Sequence, residues 1–375
     1  MHVEQYRLAA VDLPSGLQPR SERPDLVLIF AAPEIISEAG FFDVLTAAYP
    51  DSTLAGCSTA GEILYTEVSD HSAVVTEITF ASSRCTAVSA TIQNSKHSFD
   101  AGANLANKIA MSDLRAVMLF GPGVNVNGSA IVDGIASVLG EIPISGGLAG
   151  DGGLFEKTYI LTPEGVDSSA LTAVCLYGDA LTVEYSSFGG WQPFGPLRKV
   201  TRHEDNILHE LDGRPAVDLY KLYLGEYASE LPTSGLYFPL EMTRPEDKGS
   251  GIIRTIMGLD DTSGSLILAG DIDPKAYMRL MHTSADGLIN GADIAASRIG
   301  HADKFRFALL VSCFGRRLMM GDEVGEEAEV VSMRLGAATM TTGFYSFGEI
   351  CPSADASRCH FHNQTMTITV ISEDT

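Results

Sequence analysis

The chain has 375 residues, enough for two domains of ordinary size or one large one. With 45% hydrophobic residues and 37 glycines it can bury a sizeable core and is expected to be globular. Lys and Arg number 25 against 48 Asp and Glu, a net charge of −23, which repels phosphate backbones and anionic lipid and so excludes a generic nucleic-acid or membrane-surface binder.

In chain order, residues 1–24 are mixed and punctuated by proline, as in an edge strand or arm. The run Asp25 to Phe30 has the β-branched character of a buried strand. From Ile35 to Tyr49 apolar residues fall at helical spacing and stop at Pro50-Asp51. The glycine-bounded segment Gly56-Cys-Ser-Thr-Ala-Gly-Glu-Ile63 follows, then a strand from Ala73 to Phe80. The order returns with a strand at Ala116–Phe120 and a helix from Ser129 to Leu139 carrying Ile131, Ile135 and Val138 on one face. It continues through Gly146-Gly-Leu-Ala-Gly-Asp151 to a strand at Thr158–Leu161. A third round comprises the strand Phe307–Cys313, the helix Glu326–Leu335, the segment Gly343-Phe-Tyr-Ser-Phe-Gly-Glu-Ile350 and the strand Thr365–Ile371.

Two of these segments share G-x(4)-G-E-I, and recurrence at one point in a strand–helix–loop–strand order suggests internal duplication. Helix-connected strands argue for an α/β fold: two lobes of layered, partly parallel sheets. Phe188 to Pro196 is rich in turn formers and holds the single tryptophan. Asp212-Gly213 is a turn signal and Pro215 stands where a helix begins, so a domain boundary is expected near 214.

No run approaches the roughly 20 apolar residues of a membrane helix, so no membrane insertion is expected. The N-terminus has no basic region ahead of an apolar core. Cys57, Cys85, Cys175, Cys313, Cys351 and Cys359 form no Cys-x-x-Cys pair, which points to reduced thiols and a cytoplasmic location.

Glycine loops after strands can bring backbone N–H groups against a ligand. Neither Gly-x-Gly-x-x-Gly nor the P-loop pattern occurs at these positions, and Glu62 and Glu349 stand where a phosphate loop wants a cation, so a nucleotide is not expected. The loops are either tight connections whose acids cap local amides or the lining of a ligand pocket. Cys57 with His362 would make a nucleophile pair, or Cys57 is a buried structural thiol. His360 and His362 share one strand face beside Cys359, a candidate metal corner. His282, beside two methionines in Met278-Arg-Leu-Met-His282, is either a helix-surface residue or a haem ligand. Arg254 and Arg316 either clamp a ligand carboxylate or pair with an internal acid.

The motifs Gly56–Ile63, Gly146–Asp151, Leu211-Asp-Gly-Arg-Pro-Ala216 with Tyr220, Phe238-Pro-Leu240, Gly343–Ile350 and His362-Asn-Gln-Thr365 together resemble the FIST family. The resemblance runs from about residue 25 to the end. It implies an N-terminal arm over 1–24, a FIST N-like domain over 25–213 and a FIST C-like domain over 214–375. It also implies a bacterial sensory role without enzymatic activity, with a small ligand held between the halves. In one stand-alone subgroup similar in layout, haem is bound, nitric oxide is sensed, and a separate histidine kinase or cyclic-di-GMP enzyme is controlled.

On this reading the ligand meets Cys57, Ser58, Gly61 and Glu62 from the first loop, Gly147 and Asp151 from the second, and Tyr345 and Glu349 from the third. Arg254, Arg316 and Asn363 complete the set. If haem is the ligand, His362, His282 or His203 supplies the iron donor. The alternatives are a sensor of an amino acid or other small metabolite, and an acid–base enzyme acting on a small metabolite.

Overall fold

A computed structural model describes residues 1–9, 17–21, 23–231, 233–244, 251–353 and 358–374. Three parallel strand pairs organise it: Leu26–Ala31 with Thr53–Ser58, Leu114–Gly121 with Ile144–Leu148, and Arg306–Cys313 with Thr339–Ser346. Parallel neighbours need a crossover, supplied by the helices Phe41–Ala48, Gly128–Leu139 and Val324–Leu335. The second begins where the Asn127 side chain accepts the Ala130 N–H at 3.1 Å. It buries Ile131, Val132, Ile135 and Leu139, while Val138, expected on that face, is exposed. The helix expected over 35–49 is divided into Pro33–Ile36 and Phe41–Ala48, because Gly40 takes a left-handed φ of 87° between them.

The duplication expected from the sequence is a triplication. In each pair a glycine sits opposite a strand residue: Gly56 by Ile29, Gly146 by Leu119, Gly343 by Leu310. A Cβ at these glycines would stand 1.8, 2.2 and 1.8 Å from the facing carbonyl oxygen. The hairpin after each pair leaves its own sheet and joins a neighbour's. Glu62–Leu64 with Glu67–Ser69 extends the third sheet, Ile160–Thr162 with Gly165–Asp167 the first, and Gly348–Pro352 with Cys359–His362 the second. Each far edge is closed by a strand that precedes its own unit in the chain. His2–Ala9, Arg84–Thr91 and Leu181–Phe188 close the first, second and third sheets. The expected N-terminal edge strand is thus present, and residues 10–16 and 22 of the arm lie outside the described residues. Three six-stranded sheets therefore form a cyclically interlocked core. Its axis is filled by Phe30, Phe120 and Phe344, with ring centroids 4.6 to 6.2 Å apart.

The close approach sets a test. Gly343→Ala should lower stability by about 2–3 kcal/mol or more, since backbone has to move on both sides. Gly325→Ala, in helix Val324–Leu335 with open space around its Cβ position, should be neutral or stabilising by up to about 1 kcal/mol. Urea unfolding of the two variants checks this, and equal effects would contradict the packing argument.

A second lobe is made by the strands between Gln192 and His282, an eight-stranded antiparallel sheet covered by the helix Ala216–Leu224. Pro215 starts that helix as expected, but residue 214 lies inside this lobe. The chain leaves the core at Gly189–Trp191 and returns at Thr283–Ser284, where the Thr283 hydroxyl donates to Gly190 O at 2.9 Å. The described residues between 285 and 373 then complete the third unit of the core. Among the described residues, no helix is long and apolar enough to cross a membrane.

Candidate functional site

The three glycine loops do converge, at the carboxyl ends of the parallel pairs. They bond to one another in a ring: Ala60 N–H to Tyr345 O at 2.9 Å, Phe347 N–H to Leu148 O at 3.2 Å, and Gly150 N–H to Ser58 O at 3.0 Å. The fit is tight enough that a Cβ on Gly150 would sit 2.6 Å from Ala60 N. Phe155, Phe314 and Phe347 pack together beside this ring, with centroids 4.2 to 6.0 Å apart.

The acids that tip the loops serve the loops themselves. Glu62 accepts from the Thr59 hydroxyl and from the Ser72 hydroxyl at 2.7 Å. Glu349 accepts from Ser346 Oγ at 2.9 Å and from Thr365 N and Oγ1 at 3.1 and 2.9 Å. Both are buried without a directly bonded cation, and burial pushes each carboxyl up to about 7. Asp151 accepts the amides of Phe155, Glu156 and Lys157 at 2.7 to 3.0 Å.

The other loop residues are equally committed. Burial raises the Cys57 thiol well above its ordinary range, which disfavours a thiolate. Ser58 Oγ donates to Gly150 O at 2.7 Å and accepts the Tyr159 amide at 2.9 Å. Gly61 makes room for the Arg317 guanidinium, and Gly147 for Val311. Tyr345 donates its hydroxyl to Glu327 at 2.9 Å. Arg316, fully buried, donates Nε to Glu327 at 2.9 Å and other protons to the carbonyls of Gly189 and Leu288. The choice the sequence left open for Arg316 is thus settled as an internal ion pair.

A different region carries polar groups that lack partners. It is the seam where the second lobe meets the core, along the turn His362-Asn363-Gln364. Gln364 holds a left-handed φ of 60°, accepts the Trp191 indole N–H at 2.9 Å on its carbonyl, and donates Nε2 to Leu236 O of the lobe at 3.0 Å. Its Oε1 is buried without a hydrogen bond, and so are Asn363 Oδ1 and His362 Nε2. Burial, helped by the positive charge of His360 and Arg254, pulls the His362 imidazole down to about 3, so the ring is neutral.

Arg254 reaches across the same seam. It donates Nε to Asp271 O at 3.1 Å, Nη1 to Phe361 O at 2.9 Å and Nη2 to Ser129 Oγ at 3.4 Å. Burial draws its guanidinium down to about 10, against the opposing pull of Asp271 and Asp133. Asn127 adds a bond to Asp271 at 2.7 Å. Ser129, Asn127 and Asp271 escaped the sequence reading, since nothing in a lone Ser, Asn or Asp marks an interdomain contact.

The histidines are scattered. His282 lies on an exposed strand end, not a helix, with its ring edge-on to Phe194 at 5.7 Å. His203 is on the long strand Gln192–Glu204, with Nδ1 unpartnered. The His360 and His362 rings are 6.0 Å apart, but strand alternation turns Cys359 to the other face, where its sulfur accepts the Ile144 amide. Among the described residues, no group of three or more His, Cys, Asp or Glu is placed to hold a metal.

His362 offers haem the right lone pair. Two pockets, an apolar one of about 20 Å³ under the lobe helix and a polar one of about 170 Å³ in the second unit, fall short of the roughly 300–1,000 Å³ of ordinary ligand sites. Neither of these two pockets has room for haem.

Residues 25–214 match the FIST N domain model and residues 216–352 the FIST C domain model. The uncharacterized protein MJ1623 of Methanocaldococcus jannaschii is 26% identical over 204 residues, which is 49% of this chain but 38% of that protein. The chain thus matches well under half the length of this relative. Cyanuric acid hydrolase from A. caulinodans aligns over 100% of this chain and 99% of its own at 9% identity, with a TM-score of 0.38. A second cyanuric acid hydrolase structure aligns over the same shares at 10% identity, with a TM-score of 0.32.

Proposed function

This chain belongs to the FIST family, whose domains receive small ligands in signalling, and on that footing we propose that it is a non-enzymatic sensor whose ligand docks at the seam between lobe and core. One observation carries the reading: three consecutive side chains, His362, Asn363 and Gln364, each bury a polar atom with no partner. Leaving such an atom unsatisfied costs roughly 1–3 kcal/mol. A small polar metabolite that brings donors to this turn recovers part of that cost, and Arg254 stands near to receive a carboxylate, so an amino acid is within the class. Because Gln364 also holds Leu236 of the lobe, occupancy would favour one lobe position over another, within the limit of the ligand's differential affinity. A separate histidine kinase or cyclic-di-GMP enzyme would read that position.

Mass spectrometry of whatever copurifies, followed by thermal-shift titration, tests the reading. A ligand at about 100-fold excess over Kd should add about 2.7 kcal/mol of stability. Asn363→Ala should abolish that gain while leaving the free protein nearly as stable, since the acceptor it removes is unpaired. Equal stabilisation of variant and parent would reject the site, and chemical turnover of the bound compound would reject a pure sensor. The enzyme alternative is disfavoured because Glu62 and Glu349 are each enclosed by their own loop donors.

A haem-borne nitric-oxide sensor is the finer reading, favoured by the neutral His362 ring, whose Nε2 has no hydrogen-bond partner. A Soret band after reconstitution that His362→Ala removes would support it, and its absence would remove haem.

A further inference from the structure

The three units differ at one equivalent position. Six residues on from the strand residue facing each paired glycine (Ile29, Leu119, Leu310) stand Ile35, Asn125 and Arg316. Ile35 belongs to the short helix Pro33–Ile36 and is 1% exposed. Arg316 belongs to the helix Phe314–Met320 and fills its crevice with the guanidinium, bonding Gly189 O at 2.5 Å, Leu288 O at 2.9 Å and Gln364 O at 3.5 Å.

The second unit has no helix there. Residues 122–127, Pro-Gly-Val-Asn-Val-Asn, stay in a loop until Gly128, and Asn125 is exposed with a left-handed φ of 58°. The space beside it is a pocket of about 170 Å³ at the carboxyl end of a parallel strand, where open α/β sheets take ligands. Its walls include Gln93, Ser168 and Ser169, with Glu156 and Lys157 at the rim. Strand register makes the comparison concrete. Leu119 pairs Ala173 as Leu310 pairs Ile368, so Ser169 holds the place of Gln364.

We propose that this pocket binds a small organic cation, a guanidinium or ammonium head on a short alkyl stem, occupying in the second unit the place that the Arg316 side chain occupies in the third. The volume matches roughly five or six waters' worth of liquid. Ser168 and Ser169 offer hydroxyl acceptors, and Glu156 is the acid at the mouth. The net charge of −23 raises the local concentration of cations. Lys157 is the one opposing charge in the lining, and its Nζ lies 5.0 Å from the Tyr159 ring centroid. The site is independent of the seam, so failure of either reading leaves the other standing.

Calorimetric titration of the full chain with agmatine at low ionic strength tests the proposal, with succinate as the anionic counterpart. Saturable agmatine binding is expected, weakened about threefold by Glu156→Gln. Asn125→Arg, which supplies the plug from within, should weaken it by about tenfold or more. Ser169→Leu fills the pocket from the opposite wall and should do the same, so a folding defect in one variant, visible by circular dichroism, does not decide the matter. No heat with agmatine at millimolar concentration overturns the proposal. So does agmatine binding indifferent to both plugging variants, or succinate binding that Lys157→Ala removes while agmatine gives none.

Discussion

Glu327→Gln should destabilise the fold by about 3–5 kcal/mol at every pH from 5 to 8, because it strands a buried guanidinium that cannot shed its proton. Glu327 and Arg316 are both 0% exposed. The carboxylate accepts from Arg316 Nε at 2.9 Å and from Nη2, from Ser312 Oγ at 2.8 Å and from the Tyr345 hydroxyl at 2.9 Å. It is therefore the acceptor that ties the helix Val324–Leu335 to two strands and the helix Phe314–Met320. A glutamine keeps one oxygen and turns an amide toward donors. Arg316→Met strands the other partner, but a buried carboxylate without its cation escapes by taking a proton. The cost of that variant should shrink as the pH falls, while that of Glu327→Gln stays flat. Arg316→Met with Glu327→Leu removes both charges and should cost less than the sum of the singles. Urea unfolding across pH reads all three. Parallel pH profiles for the two single variants would show that the pair is not the closed unit described.

This pair also marks where sequence reading stops. The recurrence of strand, helix and glycine segment was visible because hydrophobic periodicity and the G-x(4)-G-E-I repeat are local signals, and every one of the strands they indicated forms. The third copy was visible as well, yet its meaning was not. The middle segment ends in Gly150-Asp151, a small-then-acidic finish without the full G-x(4)-G-E-I, and the pairing of Leu119 with Gly146 sets its first glycine level with Gly56 and Gly343. Convergence of the loops could be inferred, whereas their closure depends on long-range bonds such as Gly150 to Ser58. Arg316 could be flagged as a rare cation in need of a partner, but Glu327 sits in an ordinary helical run of acids (Gly325-Glu-Glu-Ala-Glu329), and nothing distinguishes the inward one except phase. Asn125 lay in Gly121-Pro-Gly-Val-Asn-Val-Asn127, whose turn formers announce a loop in place of the helix that the other units start. That signal was readable and points to the open crevice.

Stability should be greatest near pH 5 and fall by roughly 4 kcal/mol toward pH 8, with Glu62 and Glu349 as the cause. Burial raises both carboxyls from about 4.5 to about 7. Between those values the folded chain keeps two protons that the unfolded chain has released, so raising the pH favours unfolding by up to about 1.4 kcal/mol per unit for each group. Two groups opposing this act mainly at lower pH. His362, drawn down from 6.5 to about 3, stays neutral in the fold while the unfolded chain is protonated, so it adds stability as pH rises from about 3 to 6.5. Glu373, drawn down to about 2 by the Ala81 and Ser82 amides, Ser83 and the chain's amino terminus, adds stability as pH rises to about 4.5. From 4.5 to 6.5 the falling contributions of Glu62 and Glu349 meet the rising one of His362, and above 6.5 the rising one is spent. The double variant Glu62→Gln/Glu349→Gln deletes the contributions of these two acids and keeps that of His362, so its stability should rise from pH 4.5 to 6.5 where that of the parent declines. Unfolding free energies of both proteins at pH 4.5, 6.5 and 8 test this, and because background self-repulsion is nearly common to the pair, the difference between the profiles is the informative quantity. Profiles of the same slope would mean that the two acids are ionised in the fold, and that the hydroxyls of Thr59, Ser72, Ser346 and Thr365 outweigh the loss of solvent.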